Sequence, residues 1–387
     1  MVEVALVLAA SVSLWWRPAA VPMWAGPVVA ALLAAGGGLI SFSDAGSALG
    51  DLRAPLLFLV CAVPLAVTLD DIGVFAALAA SMDGGRHLAA WLWCLAAGVV
   101  IVFNLDAAVV LLTPLYIRIA RRHGLDAEAL AFQPALLACL ASGVLPVSNL
   151  TNLIVAARFD LGVGDFLTHL AAPSLLATAI GFAMYRRVFH LHAVRDRADD
   201  PVDPRALRRG LPIVGFVLLG FTIGDAADIE AWIVAFAALA WATAITRAAR
   251  WRAVPVEAIA IAAGLVVVVA TAVPHLGLEG WFDGTTPTDQ LRAVGAATVM
   301  SNLANNLPTA LAASEAVDHA DASWPILIGT NIGSIFVLTA SLSTLLWRDT
   351  AARNGVTVTP QRWSSVAARV GAPALIGATI TQLLLAT

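Results

Sequence analysis

The residues with chemistry to offer fall in four short clusters, each inside an apolar run. They are Phe103-Asn104-Leu105-Asp106, Val147-Ser148-Asn149-Leu150-Thr151-Asn152-Leu153-Ile154, Ser301-Asn302-Leu303-Ala304-Asn305-Asn306-Leu307-Pro308 and Thr339-Ala340-Ser341-Leu342-Ser343-Thr344-Leu345-Leu346. Asparagine, serine and threonine in apolar surroundings cost free energy unless paired, so they gather where backbone is interrupted or water enters. Their amides and hydroxyls, with the carbonyls freed at such breaks and the partial charges of half-helix ends, are neutral ligands for a small polar solute or a sodium ion. A single serine or threonine in such a place serves equally well as packing glue between helices. Asp106 is the sharpest residue of the set, because an intramembrane carboxylate marks a functional site by default. It reads as a proton carrier or solute ligand, or else as the cap of a helix over 107–119. Asp70 and Asp71, in Thr68-Leu69-Asp70-Asp71-Ile72-Gly73, are further coupling candidates within an apolar run that Gly73 can break. The candidate solute and ion ligands are thus Asn104, Asp106, Ser148, Asn149, Thr151, Asn152, Ser301, Asn302, Asn305, Asn306, Ser341, Ser343 and Thr344.

The elements that position these clusters must lie in a bilayer. The chain has 387 residues, of which 60% are hydrophobic and 12% charged. Soluble domains run near 45–50% apolar and about 25% charged, so the composition excludes a cytosolic enzyme and predicts an all-α polytopic membrane protein. Apolar runs fall at about 4–16, 22–40, 55–80, 130–157, 171–189, 211–224, 230–246, 254–273, 324–347 and 363–386, which gives about ten transmembrane helices. Trp15 and Trp16 beside Arg17 read as an interfacial anchor for the first. A start of Met1-Val2-Glu3 is not that of a cleaved signal peptide. Two stretches, 88–121 and 290–317, are paired apolar arms of some 11–16 residues around a polar centre, and fit re-entrant hairpins. Cys61, Cys94 and Cys139 lie in apolar runs without CxxC spacing and read as plain core residues, with no metal or cofactor implied. No phosphate-binding GxxxxGK[ST] motif occurs, because the chain contains no lysine.

All 22 basic side chains counted as Lys+Arg are therefore arginine. With both termini outside, 19 of the 22 fall in inside loops, leaving Arg53, Arg158 and Arg292 outside, as the positive-inside rule requires. Residues 1–189 then form a first repeat with hairpin 88–121. Residues 190–210 form a cytoplasmic linker, and 211–387 a second repeat with hairpin 290–317. Each half reads as three helices, a hairpin, an interrupted helix and a closing helix, in opposite orientations. Inverted repeats with broken helices at mid-membrane characterise secondary transporters. They argue against a channel or a receptor.

The motifs resemble a known family. Asn104 to Pro114 resembles the first-hairpin motif of the arsenite efflux permeases (ArsB) of the ion-transporter superfamily, and Pro146 to Val155 their "SNL-x-N" motif. Met300 to Thr309 resembles "MNNMPT", and Ile328-Gly329-Thr330-Asn331-Ile332-Gly333 followed by Ser341 to Trp347 is similar to "IGCDLG…GSLATLLW". The four matches occur in order across roughly 50–350. The resemblance implies export of arsenite and antimonite hydroxides across the inner membrane in exchange for protons, with a soluble ATPase docking inside in some systems. The chain departs from the family at Thr330-Asn331, where the family has a cysteine–aspartate pair, and at Ser334 to Val337, where a lysine-containing stretch is replaced by uncharged residues. Relatives in the superfamily move sodium with carboxylates or exchange sodium for protons, which is the alternative function. The expected partners are the lipid bilayer and a small inorganic solute with protons or sodium, and no nucleic acid.

The topology is open to direct test. In a cysteine-free background, a cysteine at position 197 should react with impermeant maleimide only from the inside; labelling from the outside would overturn the orientation of both hairpins.

Overall fold

The computed structural model describes residues 2–14, 16, 21–81, 87–189, 202–225, 227 and 229–385. Most of the linker expected at 190–210, and the Trp15 and Arg17 of the expected anchor, lie outside the described residues. Trp16 is exposed. Among the described residues the chain is helices and connecting turns.

The apolar runs resolve into helices of unequal length. Arg53–Ile72, Pro204–Gly224, Val256–His275 and Pro360–Leu385 are each long and apolar enough to cross a membrane, and Val163–His169 with Ala171–Val188 forms a further span bent by 54°. Val2–Ser13, Ala25–Gly36 and Ala231–Thr246 are shorter apolar helices. The run at 55–80 is two helices, because Gly73 takes the left-handed conformation (φ 89°) that stops Arg53–Ile72 before Val74–Ser81. The polar stretch Phe42–Asp51 is also helical, started by Ser41, whose hydroxyl accepts the Asp44 N–H.

The two halves repeat one order of elements. In each, three longer apolar helices precede a hairpin, a broken helix and a closing helix. They are Val2–Ser13, Ala25–Gly36 and Arg53–Ile72 in the first half, and Pro204–Asp225, Ala231–Thr246 and Val256–Ala272 in the second. The further short helices are Phe42–Asp51 and Val74–Ser81 in the first half and Glu279–Phe282 in the second. The first hairpin is Leu88–Phe103 and Leu105–Arg122, and the second is Pro287–Ala304 and Asn306–Glu315. The first broken helix is Ala127–Leu140 and Leu150–Phe159, and the second is Ser323–Asn331 and Leu342–Arg353. Packing between the halves follows a two-fold pattern. The second helix of each half packs on the third of the other, Ala25–Gly36 on Val256–Ala272 and Ala231–Thr246 on Arg53–Ile72, and the two closing helices pack on each other. Buried aromatic side chains fix the ends of the broken helices: Trp347 Nε1–H donates to the Ala131 carbonyl at 2.7 Å, and Trp363 Nε1–H to that of Ile335 at 3.0 Å.

Polar contacts sort the loops into two faces. On one face Arg53 pairs with Glu230, Arg158 with Glu315, and His319 with Asp283, while Glu3 lies in electrostatic reach of His275. On the other, Asp71 pairs with Arg250, Glu128 with Arg362, Arg121 bonds to the Asn354 carbonyl, and the Met23 N–H donates to Glu257. Arg53–Glu230 and Arg158–Glu315 join loops that the arginine pattern groups on one side, and Glu128–Arg362 and Arg121–Asn354 join loops that it groups on the other.

Close packing holds the second broken helix against its hairpin. A Cβ on Gly329 would sit 2.5 Å from the Ala297 Cβ and 2.7 Å from the Val294 carbonyl oxygen, and backbone cannot step aside as a flexible side chain does. Gly329→Ala should therefore lower stability by about 1–3 kcal/mol, read as a lower melting temperature in detergent. An unchanged melting temperature would show that these two helices separate freely.

Candidate functional site

The tips of both hairpins are built on an asparagine in an unusual backbone state. Asn104 has φ 110° and ψ 147°, and Asn305 has φ 90° and ψ 151°. Positive φ is uncommon outside glycine, and asparagine is among the residues that tolerate it best because its short amide bonds locally. Here Asn104 Oδ1 accepts the Asp106 N–H at 2.9 Å, and Asn305 Oδ1 accepts the Leu307 N–H at 3.2 Å. Each tip thus ends one arm and caps the next with one side chain. The capping role considered for Asp106 falls to Asn104, which leaves the Asp106 carboxylate in the first turn and free of that duty. The helix breaks follow suit. Asn149, in extended backbone, caps Leu150–Phe159 by accepting the Thr151 N–H at 3.2 Å. Ser341 stands at the equivalent position of Leu342–Arg353, with its hydroxyl 2.8 Å from that of Ser343.

Each hairpin is fastened to the break of its own half. Ser148 Oγ donates to the Ile101 carbonyl at 2.8 Å. Asn302 Nδ2 donates to the carbonyls of Thr298 and Gly333, and Asn302 Oδ1 accepts the Val337 N–H. Asn305 Nδ2 donates to the Thr339 carbonyl at 3.1 Å, and the Asn306 N–H to that of Ala340 at 2.8 Å. Thr344 Oγ1 donates to the carbonyls of Leu338 and Ser341. Carbonyls expected to serve as ligands are therefore taken up by side chains that close the breaks.

The two breaks are joined by a residue that the motif reading did not select. Asn331, fully surrounded, accepts from Asn149 Nδ2 at 2.7 Å and from Thr151 Oγ1 at 3.2 Å, and its own Nδ2 donates to Asn152 Oδ1 at 2.7 Å. Asn152 Nδ2 in turn donates to the carbonyls of Ser142 and Leu145. Its one signal in the sequence is an uncharged amide where the resembling family has aspartate.

All four clusters reach one cavity of about 30 Å³, lined by the polar residues Asp106, Asn149, Thr151, Asn305, Asn306, Ser341 and Ser343. Leu14, Leu105, Leu150, Leu307, Leu342 and Leu345 and the 258–261 turn of the third helix of the second half complete its wall. Asp106 Oδ1 is buried there without a hydrogen-bond partner among the described residues. Asn104 stands behind the tip with its Nδ2 buried and, among the described residues, unpartnered, as is Ser301 Oγ. Ser148, Asn152, Asn302 and Thr344 hold backbone and do not line the cavity. Asp70 and Asp71 do not reach it either. They end Arg53–Ile72 at one face, where Asp71 pairs with Arg250 and Asp70 lies in electrostatic reach of Arg118.

Two hairpins and two broken helices meeting at a polar cavity within an apolar bundle define a membrane transporter of several spans. The family described as citrate transporter (CitMHS) matches residues 5–342, and the chain belongs to it. The arsenical pump membrane protein of Yersinia enterocolitica is 26% identical over 382 residues, covering 89% of each chain. That of Escherichia coli K12 is 26% identical over 338 residues, covering 77% of this chain and 79% of its own. Among solved structures, the YdaH transporter of Alcanivorax borkumensis, whose topology is described as unusual, superposes with a TM-score of 0.63 at 14% identity, over 91% of this chain and 89% of that one. It shares the fold.

The Asn331 clasp makes a quantitative prediction. Asn331→Ala strands the amides of Asn149 and Asn152, so it should cost about 1–3 kcal/mol for each buried group left unpaired. Combined with Asn149→Ala, the loss of stability should be smaller than the sum of the two single losses, as for residues in direct contact. Strictly additive melting shifts would remove the clasp as a shared unit.

Proposed function

We propose that the chain is a proton-coupled secondary transporter that exports arsenite- and antimonite-like trihydroxides, and that 1–189 and 211–387 are inverted repeats around one central solute site. The observation that carries this reading is the cavity wall, which among the described residues holds neutral amides and hydroxyls, one carboxylate, and no arginine or histidine. A trihydroxide offers three O–H donors and oxygen acceptors, which match amides, hydroxyls and a carboxylate without needing a cationic partner. The unpartnered Oδ1 of Asp106 accepts either a solute O–H or a proton, but not both at the same lone pairs. Solute and proton then exclude each other, which is what exchange requires. Facing inside, ionised Asp106 takes the solute; facing outside, a proton replaces it and returns inward. The free space holds roughly one or two water molecules, so a trihydroxide enters as the tips part. The names of the relatives support the same solute class.

Sodium coupling is the alternative. A sodium site wants several carbonyl or carboxylate oxygens, and the carbonyls at these breaks are already engaged. That favours the proton.

Asp106→Asn keeps the size of the side chain and most of its hydrogen bonding but exchanges no proton. The variant should still bind arsenite and lose pH-driven accumulation in everted vesicles. Unchanged pH-driven accumulation would retire Asp106 as the carrier.

A further inference from the structure

Every polar group lining the cavity lies at the start of a half-helix. Asp106 is in the first turn of Leu105–Arg122, and Asn149 and Thr151 open Leu150–Phe159. Asn305 and Asn306 open Asn306–Glu315, and Ser341 and Ser343 open Leu342–Arg353. The helix ends that meet the same breaks, at Phe103, Leu140, Ala304 and Asn331, do not line it. A helix start carries about +0.5 elementary charge, so four starts place roughly +2 around the cavity against the single negative charge of Asp106. Among the described residues, no other titratable or charged side chain lines it from the elements packed there. The Asn306 amide, 6% exposed, lines the same space and makes no side-chain hydrogen bond to the described residues. It is a spare N–H donor aimed at whatever sits there.

We propose that, with Asp106 protonated, this cage binds a small monovalent inorganic anion such as chloride, and that the anion and the Asp106 carboxylate exclude each other. The carboxylate is the built-in anion of four converging helix starts; neutralising it leaves their charge uncompensated, and an external anion of about one water's size takes over that role. The inference rests on the cavity being the solute site in one respect only: the anion is then a competitor of the trihydroxide. Its dependence on acidity is opposite in sign to that of the solute. Anion binding takes up a proton, whereas trihydroxide binding releases one.

The test is calorimetric titration of the purified full-length protein with sodium chloride, with gluconate as the balancing anion, at about pH 5.5 and about pH 8. Chloride should bind saturably and at least about tenfold tighter at the lower pH, because one proton accompanies each anion. Asp106→Asn should bind chloride with one affinity at both pH values, and Asn306→Ala should bind it several-fold more weakly with an unchanged melting temperature. Absence of saturable binding at either pH, equal affinity of the wild type at both, or pH-dependent binding that survives in Asp106→Asn would each overturn the proposal. Saturable, acid-dependent chloride binding that leaves arsenite affinity untouched would uphold the anion cage and remove the solute from it.

Discussion

A helix broken in an apolar medium exposes backbone N–H and carbonyl groups that no water satisfies. The structure depends on how four such breaks are closed. Asn104, Asn149 and Asn305 each turn the side-chain oxygen back onto the second N–H of the helix they start. Ser148, Asn302, Asn305 and Thr344 reach carbonyls across the breaks. Much of the hydrogen-bonding capacity of the motif residues is spent in this closure, which is why Ser148, Asn152, Asn302 and Thr344 hold backbone and do not line the cavity.

Closure also decides the character of what remains. Because donors on side chains consume carbonyls at the helix ends, the surfaces turned inward are the helix starts, with their amides, hydroxyls and a single carboxylate. Asn331 then ties the first break to the second over a separation of about 180 residues, so that a displacement of one break is felt by the other. Arginine works at the far ends of the same half-helices. Arg158 binds the Ser314 carbonyl and the Glu315 carboxylate that end the second hairpin, and Arg121 of the first hairpin binds the Asn354 carbonyl beyond the second broken helix. The halves are thus cross-linked at both faces and at the centre, in the same exchanged sense.

Much of this was legible in the sequence because polar residues are expensive in lipid and so stand out. The hairpins at 88–121 and 290–317 and the breaks near 148 and 341 announced themselves as polar interruptions of apolar runs, and the arginine pattern grouped the loops of Arg53 and Glu230 and those of Arg158 and Glu315, which ion pairs join. What was not legible was which polar residue does which work. Asn104 and Asp106 are two residues apart, and only the positive φ of Asn104 shows that it is the cap and the carboxylate is spare. Ser148 and Asn302 look like ligands by type, yet the carbonyls they bind, Ile101 and Gly333, carry no mark in a sequence. Asn331 was passed over as a departure from a motif because its partners lie in the other half of the chain. Asp70 and Asp71 stood out as charges in an apolar run, but the left-handed turn at Gly73 brings that run to a face, where Arg250 meets Asp71.

The central claim is that solute and proton compete for one carboxylate at the meeting point of the four breaks. Counting protons on binding tests it most directly. Calorimetric titration of the purified protein with arsenite, in buffers of different ionisation enthalpy at a pH where Asp106 is partly protonated, should show proton release of up to about one per solute bound, and none in Asp106→Asn. Heats of binding that do not depend on the buffer in the wild type, or proton release that persists in Asp106→Asn, would contradict the account.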